Sequence, residues 1–478
     1  MTSDGGETLP VHITSTPVNI TGTPVHITGS EFPQFPKGFY FGAATAAYQI
    51  EGGWDADGKG LSTWDVFVRQ PGKIKNGDTG DVACNTYHDF QTDVNIMADL
   101  ALNAYRFSIA WSRVLPQGKG KINARGLDYY NRLVDALLEK GITPFITLFH
   151  WDMPQALYGS YGGFAGRETA GYFADYVEVV VRSLGDRVTH WITLNEPWEH
   201  AFFGHFVGEH APGVHNPWTY FKVAHHELLG HGLAVERIRD LYPEAKVGIT
   251  LSQFPIYPYD ETPKHRDAAD FADLFMNRFY LDGLYKACYP EALLKRLWPF
   301  RPRILPDDMD IIARKTDFLG VNYYTRQYAR HVWYLPFFRA WVDRDPPPGI
   351  FHPSLGPQAY PAGIRELARR YREDYGNPVV YITENGTTDQ DIAIEVGRVK
   401  DDHRIRYLQC YLSELAQAIA EGSDIRGYFV WLLLDNFEWS SGYDCRMGLV
   451  RADFDTQART VKDSAIWYRD LIRNQRSA

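Results

Sequence analysis

The sequence predicts an α/β fold: a single (β/α)8 TIM barrel with long βα loops forming the active-site mouth. From Glu31 onward, eight runs rich in Val, Ile, Phe, Tyr and Thr recur along the chain, with helical stretches between them. Strand, helix, strand repeated in this way argues for parallel strands joined by crossover helices, and eight such units close into a barrel. The alternative is a doubly wound open sheet. That fold wants a glycine-rich turn after its first strand, and here the chain reads Gln49-Ile50-Glu51-Gly52-Gly53.

In chain order the expected strands are Phe39–Gln49, Ala104–Trp111, Ile142–Trp151, Val188–Glu196, Ala245–Ser252, Asp317–Thr325, Pro378–Asn385 and Gly427–Asp435. Four of the helices are distinct. Leu127–Lys140 puts Leu133, Leu137 and Leu138 on one face and stops at Gly141. Arg167–Leu184, His225–Leu241 and His403–Glu421 follow, the last ended by Gly422. Residues 326–377 read as a long loop at the barrel mouth, so residues 31–478 need only one catalytic domain.

Residues 1–30 differ. Pro10-Val11-His12-Ile13-Thr14, Pro17-Val18-Asn19-Ile20-Thr21 and Pro24-Val25-His26-Ile27-Thr28 repeat every seven residues. Proline at that spacing excludes a helix. A mobile or extended arm is expected, or one that docks on the barrel or a neighbouring subunit.

The 478 residues are 45% hydrophobic and 23% charged, which excludes wholesale disorder. Lys and Arg number 49 against 59 Asp and Glu, a net charge of −10, and a nucleic-acid binder would show the reverse. No apolar run approaches the ~18 residues of a membrane span. The first basic residue is Lys37, so no positively charged signal region is expected. Cys84, Cys288, Cys410 and Cys445 lie far apart and form no CxxC pair, as suits reduced thiols in a cytoplasmic protein.

In a barrel of this class, chemistry sits at the C-terminal ends of the strands. Here those ends carry Gln49 and Glu51, Arg106, His150-Trp151, Asn195-Glu196, Asn322-Tyr323-Tyr324, Glu384-Asn385, and Trp431 with Asp435, Glu438 and Trp439. Any one of these could be a satisfied core polar group. So many converging on one rim indicate a wet, hydrogen-bonding pocket, because buried polar groups are costly unless paired. Amides and carboxylates suit hydroxyls, and tryptophan suits the C–H face of a sugar ring. Glu196 and Glu384 stand on the fourth and seventh strands, across the barrel from each other. Glycosidic bond cleavage needs two carboxyl groups flanking the bond, one protonated and one ionised. Arg106 is placed to keep the second one charged.

Taken in order, these residues resemble a known family. Ala43-Ala44-Thr45-Ala46-Ala47-Tyr48-Gln49-Ile50-Glu51-Gly52, Tyr105-Arg106-Phe107-Ser108, Phe149-His150-Trp151-Asp152, Thr193-Leu194-Asn195-Glu196-Pro197, Asn322-Tyr323-Tyr324, Ile382-Thr383-Glu384-Asn385-Gly386 and Leu434-Asp435-Asn436-Phe437-Glu438-Trp439 are similar to the motifs of the family 1 glycoside hydrolases, the β-glucosidase group. The resemblance runs from about Phe35 to Ile472. It implies a retaining β-glycosidase, foremost a β-glucosidase with β-galactosidase or β-fucosidase side activity, that needs no metal or organic cofactor. Its partners would be β-glucosides, cellobiose or short oligosaccharides, with no nucleic acid and no membrane. Glu384 would be the nucleophile and Glu196 the acid/base, about 5–5.5 Å apart. Arg106 and Tyr324 would support the nucleophile. Gln49, His150, Trp151, Asn195, Asn322, Trp431, Glu438 and Trp439 would bind the sugar, with Asn195 on its 2-hydroxyl and Trp431 as the platform. Glu438 speaks for an unphosphorylated sugar.

Two departures bear on the leaving group. Family members usually carry a tryptophan just before the Tyr-Pro that Tyr360-Pro361 matches, and this chain has Ala359; Trp333 or Trp341 could substitute. Phe164 stands where a tryptophan is common. His226-Glu227-Leu228-Leu229-Gly230-His231 imitates a zinc motif, but its second His comes one place too late to share a helix face with the first. The alternatives are a transglycosylase using the same intermediate and a non-hydrolytic sugar-binding barrel, which usually loses one of the two glutamates.

Overall fold

The computed structural model describes residues 32–350, 352, 354–389, 394, 395 and 397–477. The seven-residue repeat at positions 10–29 lies outside the described residues. The barrel strands are β1 (Tyr40–Ala44), β2 (Ala104–Ser108), β3 (Thr143–Phe149), β4 (His190–Asn195), β5 (Lys246–Ser252), β6 (Phe318–Asn322), β7 (Val380–Asn385) and β8 (Ile425–Trp431). They pair in parallel in sequence order, and β8 closes on β1 through Tyr40 opposite Gly427 to Ala44 opposite Trp431.

All the expected strands are present, but several stop sooner. Thr45–Gln49 is not strand: Ala47–Ile50 forms a short helix, so Gln49 reaches the mouth from a helical turn. Residues 326–377 are more than a loop. They contain strands Gln327–His331 and Ala340–Asp343 and the helix Gly363–Asp374, which is the crossover into β7.

The other crossover helices include Thr86–Asp99, Ala124–Glu139, Glu168–Leu184, Pro217–Leu241 and Asp402–Ala420. The helix Pro217–Leu241 begins two turns before the expected His225, where the Asn216 side chain caps Trp218 and Thr219 and Pro217 takes the first position. In Ala124–Glu139 the buried stripe is Tyr129, Tyr130, Leu133, Val134 and Leu137. Leu138 is exposed, because one residue beyond Leu137 is a rotation of about 100°. Gly141, at φ 71°, then takes the left-handed turn that ends the segment.

Inside the barrel the strands stack their inward side chains in layers. The N-terminal floor is aromatic: Phe145 stacks on His190 with centroids 4.2 Å apart and meets Phe429 at 4.9 Å, Tyr40 at 5.1 Å and Tyr381 at 5.2 Å. Above it lies a polar layer. Arg106 Nε donates to Thr147 Oγ1, and Thr383 Oγ1 donates to Asn322 Oδ1. The active-site mouth opens above that.

Candidate active site

The two strand ends that carry the glutamates are locally irregular. Pairing of β4 with β5 shifts register between Ile192 and Asn195, and pairing of β7 with β6 shifts between Ile382 and Glu384. Such shifts re-aim the side chains that follow them. Glu196 then turns into the left-handed region at φ 46°, and Trp151 and Trp439 do the same at 76° and 48°. Each such residue stores strain of order 1–3 kcal/mol, held by the packing around it.

Glu196 and Glu384 line one cavity of about 720 Å³ at the mouth, together with His150, Trp151, Tyr324, Trp431, Glu438 and Trp439. Both carboxyl groups are buried, at 7% and 3% exposure. Their partners differ. Arg106 Nη1 donates to Glu384 Oε1 at 2.6 Å, and the Tyr324 hydroxyl donates to Glu384 Oε2 at 2.7 Å. Glu196 receives a long bond, 3.4 Å from Asn195 Nδ2, and a contact from the Asn322 side chain. Burial raises both carboxyls above the usual range. At Glu384 the Arg106 charge and the Tyr324 hydrogen bond work against that rise. At Glu196 the neighbouring Glu384 charge adds to it, so Glu196 is the one pushed well up. The two carboxyls are therefore held unequally, with Glu196 keeping its proton more readily than Glu384, the asymmetry that general-acid and nucleophilic catalysis require.

Arg106, Asn195 and Asn322 lie one layer deeper. Arg106 Nη2 donates to Asn195 Oδ1 at 2.5 Å, and Asn322 Nδ2 donates to the same oxygen at 3.1 Å. Asn195 Nδ2 then donates to His150 Nε2 at 2.9 Å. An amide nitrogen can only donate, so that imidazole nitrogen accepts and the proton of a neutral ring sits on Nδ1. Burial and the Arg106 charge keep His150 neutral. Its Nδ1 is buried and unpartnered, free to donate to a ligand at the mouth.

On the same side, Gln49 Nε2 donates to Glu438 Oε2 at 3.1 Å and to the Phe437 carbonyl, leaving Gln49 Oε1 buried and unpartnered. Burial, with Glu384 adding, pushes Glu438 up to about 8. Trp151 donates from Nε1 to the Asn195 carbonyl and packs on Trp439 at 4.7 Å. Trp431 lies nearly parallel to the His150 ring at 5.9 Å. The result is a hydroxyl-sized set of donors and acceptors between indole faces.

Some polar strand ends serve structure instead. Glu51 is paired with Arg113 at 2.9 Å and with the Tyr130 hydroxyl, away from the mouth. Asp435 is bonded by Lys462 at 2.9 Å and by Arg446. Asn385 bridges the Tyr323 carbonyl and the Tyr428 hydroxyl. Neither Trp333 nor Trp341 lines the cavity; they are 86% and 44% exposed. The wall before Tyr360 is made instead by Pro357, Gln358 and Ala359. Phe164 is fully buried against Phe149 and Phe173.

The zinc-like run packs inside the molecule. His226 bonds the Phe164 carbonyl, His231 bonds Thr193, and Glu227 bonds His200 at 2.5 Å. Among the described residues no group of three metal-ligating side chains converges. Sequence reasoning missed Glu199, which lines the cavity one turn after Glu196, and Arg344, which lines it from the far wall. Glu199 was legible as a carboxyl three residues past Glu196 on a helix; Arg344 had no local signal.

Comparison with known proteins agrees with this geometry. Residues 32–477 match the model of glycosyl hydrolase family 1. A relative named β-glucosidase A, from Thermotoga maritima, is 45% identical over 442 residues, covering 92% of this chain and 98% of its own length. A 1,4-β-D-glucan glucohydrolase from Thermotoga neapolitana is 43% identical with the same coverage. The solved family 1 β-glucosidase of Thermotoga maritima superposes with a TM-score of 0.89 at 43% identity, covering 93% of this chain and 99% of that one; the same enzyme has been solved with glucoimidazole, at a TM-score of 0.88.

Proposed function

The chain belongs to glycosyl hydrolase family 1, and from that premise we propose that it hydrolyses terminal β-D-glucosyl residues from β-glucosides and short oligosaccharides, with Glu384 as nucleophile and Glu196 as acid/base. It is a retaining β-glucosidase. The observation that carries the assignment of roles is the asymmetry of the two carboxyls: Arg106 and Tyr324 bond Glu384, while Glu196 stands without a cationic partner.

In the first step the Glu196 O–H gives its proton to the glycosidic oxygen. A Glu384 oxygen attacks C1, the C1–O bond to the leaving group breaks, and an alcohol departs. The glycosyl ester that remains is neutral at Glu384, so Glu196 loses the repulsion that raised it and can serve as a base. It takes a proton from water, the water oxygen attacks C1, and Glu384 leaves as a carboxylate. Two inversions give net retention.

Around the sugar, His150 Nδ1, Gln49 Oε1 and Glu438 supply free hydrogen-bonding positions, Asn195 supports the 2-hydroxyl, and Trp431, Trp439 and Trp151 supply apolar faces. Asn322 orients Asn195 and reaches both carboxyls, which supports its place in the sugar-binding set. An unphosphorylated glycone fits: among the described lining residues Arg344 is the one Lys or Arg, and it stands on the opposite wall. A 4-epimer loses only a hydrogen bond or two, each worth about 0.5–1.5 kcal/mol, so β-galactoside and β-fucoside side activity follows. Cys84, Cys288, Cys410 and Cys445 are free, which supports a cytoplasmic location. No helix among the described residues is long and apolar enough to cross a membrane.

Azide rescue tests the roles. Glu384→Ala with azide should yield the α-glucosyl azide, and Glu196→Ala should yield the β-anomer from an activated aryl glucoside. Swapped anomers would reverse the assignment.

A further inference from the structure

A second cavity, of about 430 Å³, lies outside the mouth and shares no lining residue with it. It forms where the start of the helix Glu168–Leu184 and the first part of Pro217–Leu241 meet the segment 300–305. One side is aromatic: Trp218 and Phe300 pack with ring centroids 4.7 Å apart. Phe300 is buried, whereas Trp218 is 53% exposed. The other side is cationic. Lys222, Arg301 and Arg303 are exposed and have no hydrogen bond or ion pair with the described residues. Arg167 is the fourth cation, and both its Nη atoms donate to Asp308. Among the described residues no Asp or Glu lines the cavity. Three uncompensated positive charges thus stand together on a chain whose total is −10. The frame around them is fixed. Asp308 also accepts from the Leu305 N–H at 2.8 Å and lies 3.0 Å from His225 Nε2, which ties the segment to both helices.

His226 also lines the cavity, and its Nδ1 lies 2.8 Å from the Phe164 carbonyl. A carbonyl only accepts, so Nδ1 carries the ring proton and Nε2 is left as an acceptor. Burial holds this imidazole down at about 4, so it adds no charge. The lining therefore asks for two things at once. A neutral ligand, sugar or hydrocarbon, leaves the three cations without a counter-charge. A small inorganic anion meets the cations but leaves the indole in water. A flat ring that carries an anionic group answers both. Its face covers the Trp218 indole, and the fork of an arginine matches the paired oxygens of a carboxylate or phosphate. At about 430 Å³ the cavity lies within the range of about 300–1,000 Å³ that holds small ligands.

We propose that this cavity is a second ligand site that takes a small aromatic anion, its ring against Trp218 and Phe300 and its charged group on Lys222, Arg301 and Arg303. The site stands apart from the hydrolytic centre and does not rest on the reading of that centre.

Isothermal titration calorimetry on the full chain tests it with four probes. 2-Naphthoate and 2-naphthyl phosphate carry both ring and charge, and the stronger of the two assigns the head group as carboxylate or phosphate. 2-Naphthamide keeps the ring without the charge, and cyclohexanecarboxylate keeps the charge without the aromatic face. At least one naphthyl acid should bind, with the amide and the cyclohexane acid weaker by roughly tenfold or more. The double variant Arg301→Gln, Arg303→Gln and the single variant Trp218→Ala should each weaken that acid roughly tenfold. All three positions are exposed, so folding is not at stake, and kcat/KM for 4-nitrophenyl β-glucoside should stay at the wild-type value. Affinity unchanged in both variants would place the acid elsewhere and overturn the site. Equal binding of the amide, or of the cyclohexane acid, would overturn the aromatic-anion class. If no probe bound and sedimentation showed an oligomer that Trp218→Ala dissociates, the face would be an interface between copies and the ligand site would fall.

Discussion

At the N-terminal end of β3, Phe145 lies flat on His190 at 4.2 Å and is ringed by Tyr40, Tyr381 and Phe429; at the C-terminal end of the same strand comes His150, with an imidazole nitrogen buried and unpartnered. The floor satisfies itself, and the mouth does not. At the floor, each aromatic face meets another, and the gain is burial and ring–ring contact. At the mouth, Gln49 Oε1 and His150 Nδ1 are buried with no partner among the described residues, and the carboxyls sit above their ordinary titration range. Such groups are placed to hydrogen-bond a substrate. The lesson is that one set of strands can place stability at one end and reactivity at the other, because the layer of Arg106, Thr147, Thr250 and Thr383 separates them.

The contrast can be broken at several points. Glu384→Ala removes the proposed nucleophile and should lower kcat for an aryl β-glucoside by at least about 10⁴-fold, roughly 5.5 kcal/mol of barrier, with the thermal midpoint little changed. A comparable loss of folding would show that the mouth is structural after all. Phe145→Ala does the reverse: it should cost about 3–5 kcal/mol of stability by denaturant unfolding, while kcat of the remaining folded enzyme stays within a few-fold of wild type. Tyr324→Phe deletes the hydroxyl bond to Glu384. It should reduce kcat/KM by about 10–100-fold, corresponding to about 1.4–2.7 kcal/mol. If the loss appeared in KM alone, Tyr324 would be a binding group and not a support for Glu384.

A further effect concerns pH. Glu438 titrates at about 8 in the folded protein, above its unfolded value of about 4.5. The folded state therefore holds the extra proton between those values. Its contribution to stability is present at low pH and is lost as pH rises through that window. Glu438→Gln cannot lose a proton, so its stability relative to wild type should rise from pH 5 to pH 8 by up to about 3 kcal/mol, read from thermal midpoints at the two pH values. No change in the difference would mean that Glu438 is charged throughout.

The barrel was legible because its signal is local and repeated. Val- and Ile-rich runs such as Val188–Glu196 and Pro378–Asn385 announce buried strands wherever they stand. The helix Gly363–Asp374 was hidden among the prolines and aromatics around it, although it buries Ile364, Leu367, Ala368 and Tyr371 at helical spacing. The two glutamates were legible because strand ends of a barrel converge by topology alone. Glu51 and Asp435 misled for the same reason: sequence shows which residues are near a strand end, but not that Arg113 and Lys462 claim them.

By itself, the order of residues determined the eight-unit closure, the acidic surface and the identity of the paired carboxyls, since each depends on composition or on short-range periodicity. Only the folded chain shows how unequally the two carboxyls are held. That rests on Arg106, nearly three hundred positions from Glu384 in sequence, lying 2.6 Å from it, and on the Glu384 charge that adds to burial at Glu196. Charge interactions of this kind depend on distance and on the exclusion of water, and neither is written in any local stretch of the chain.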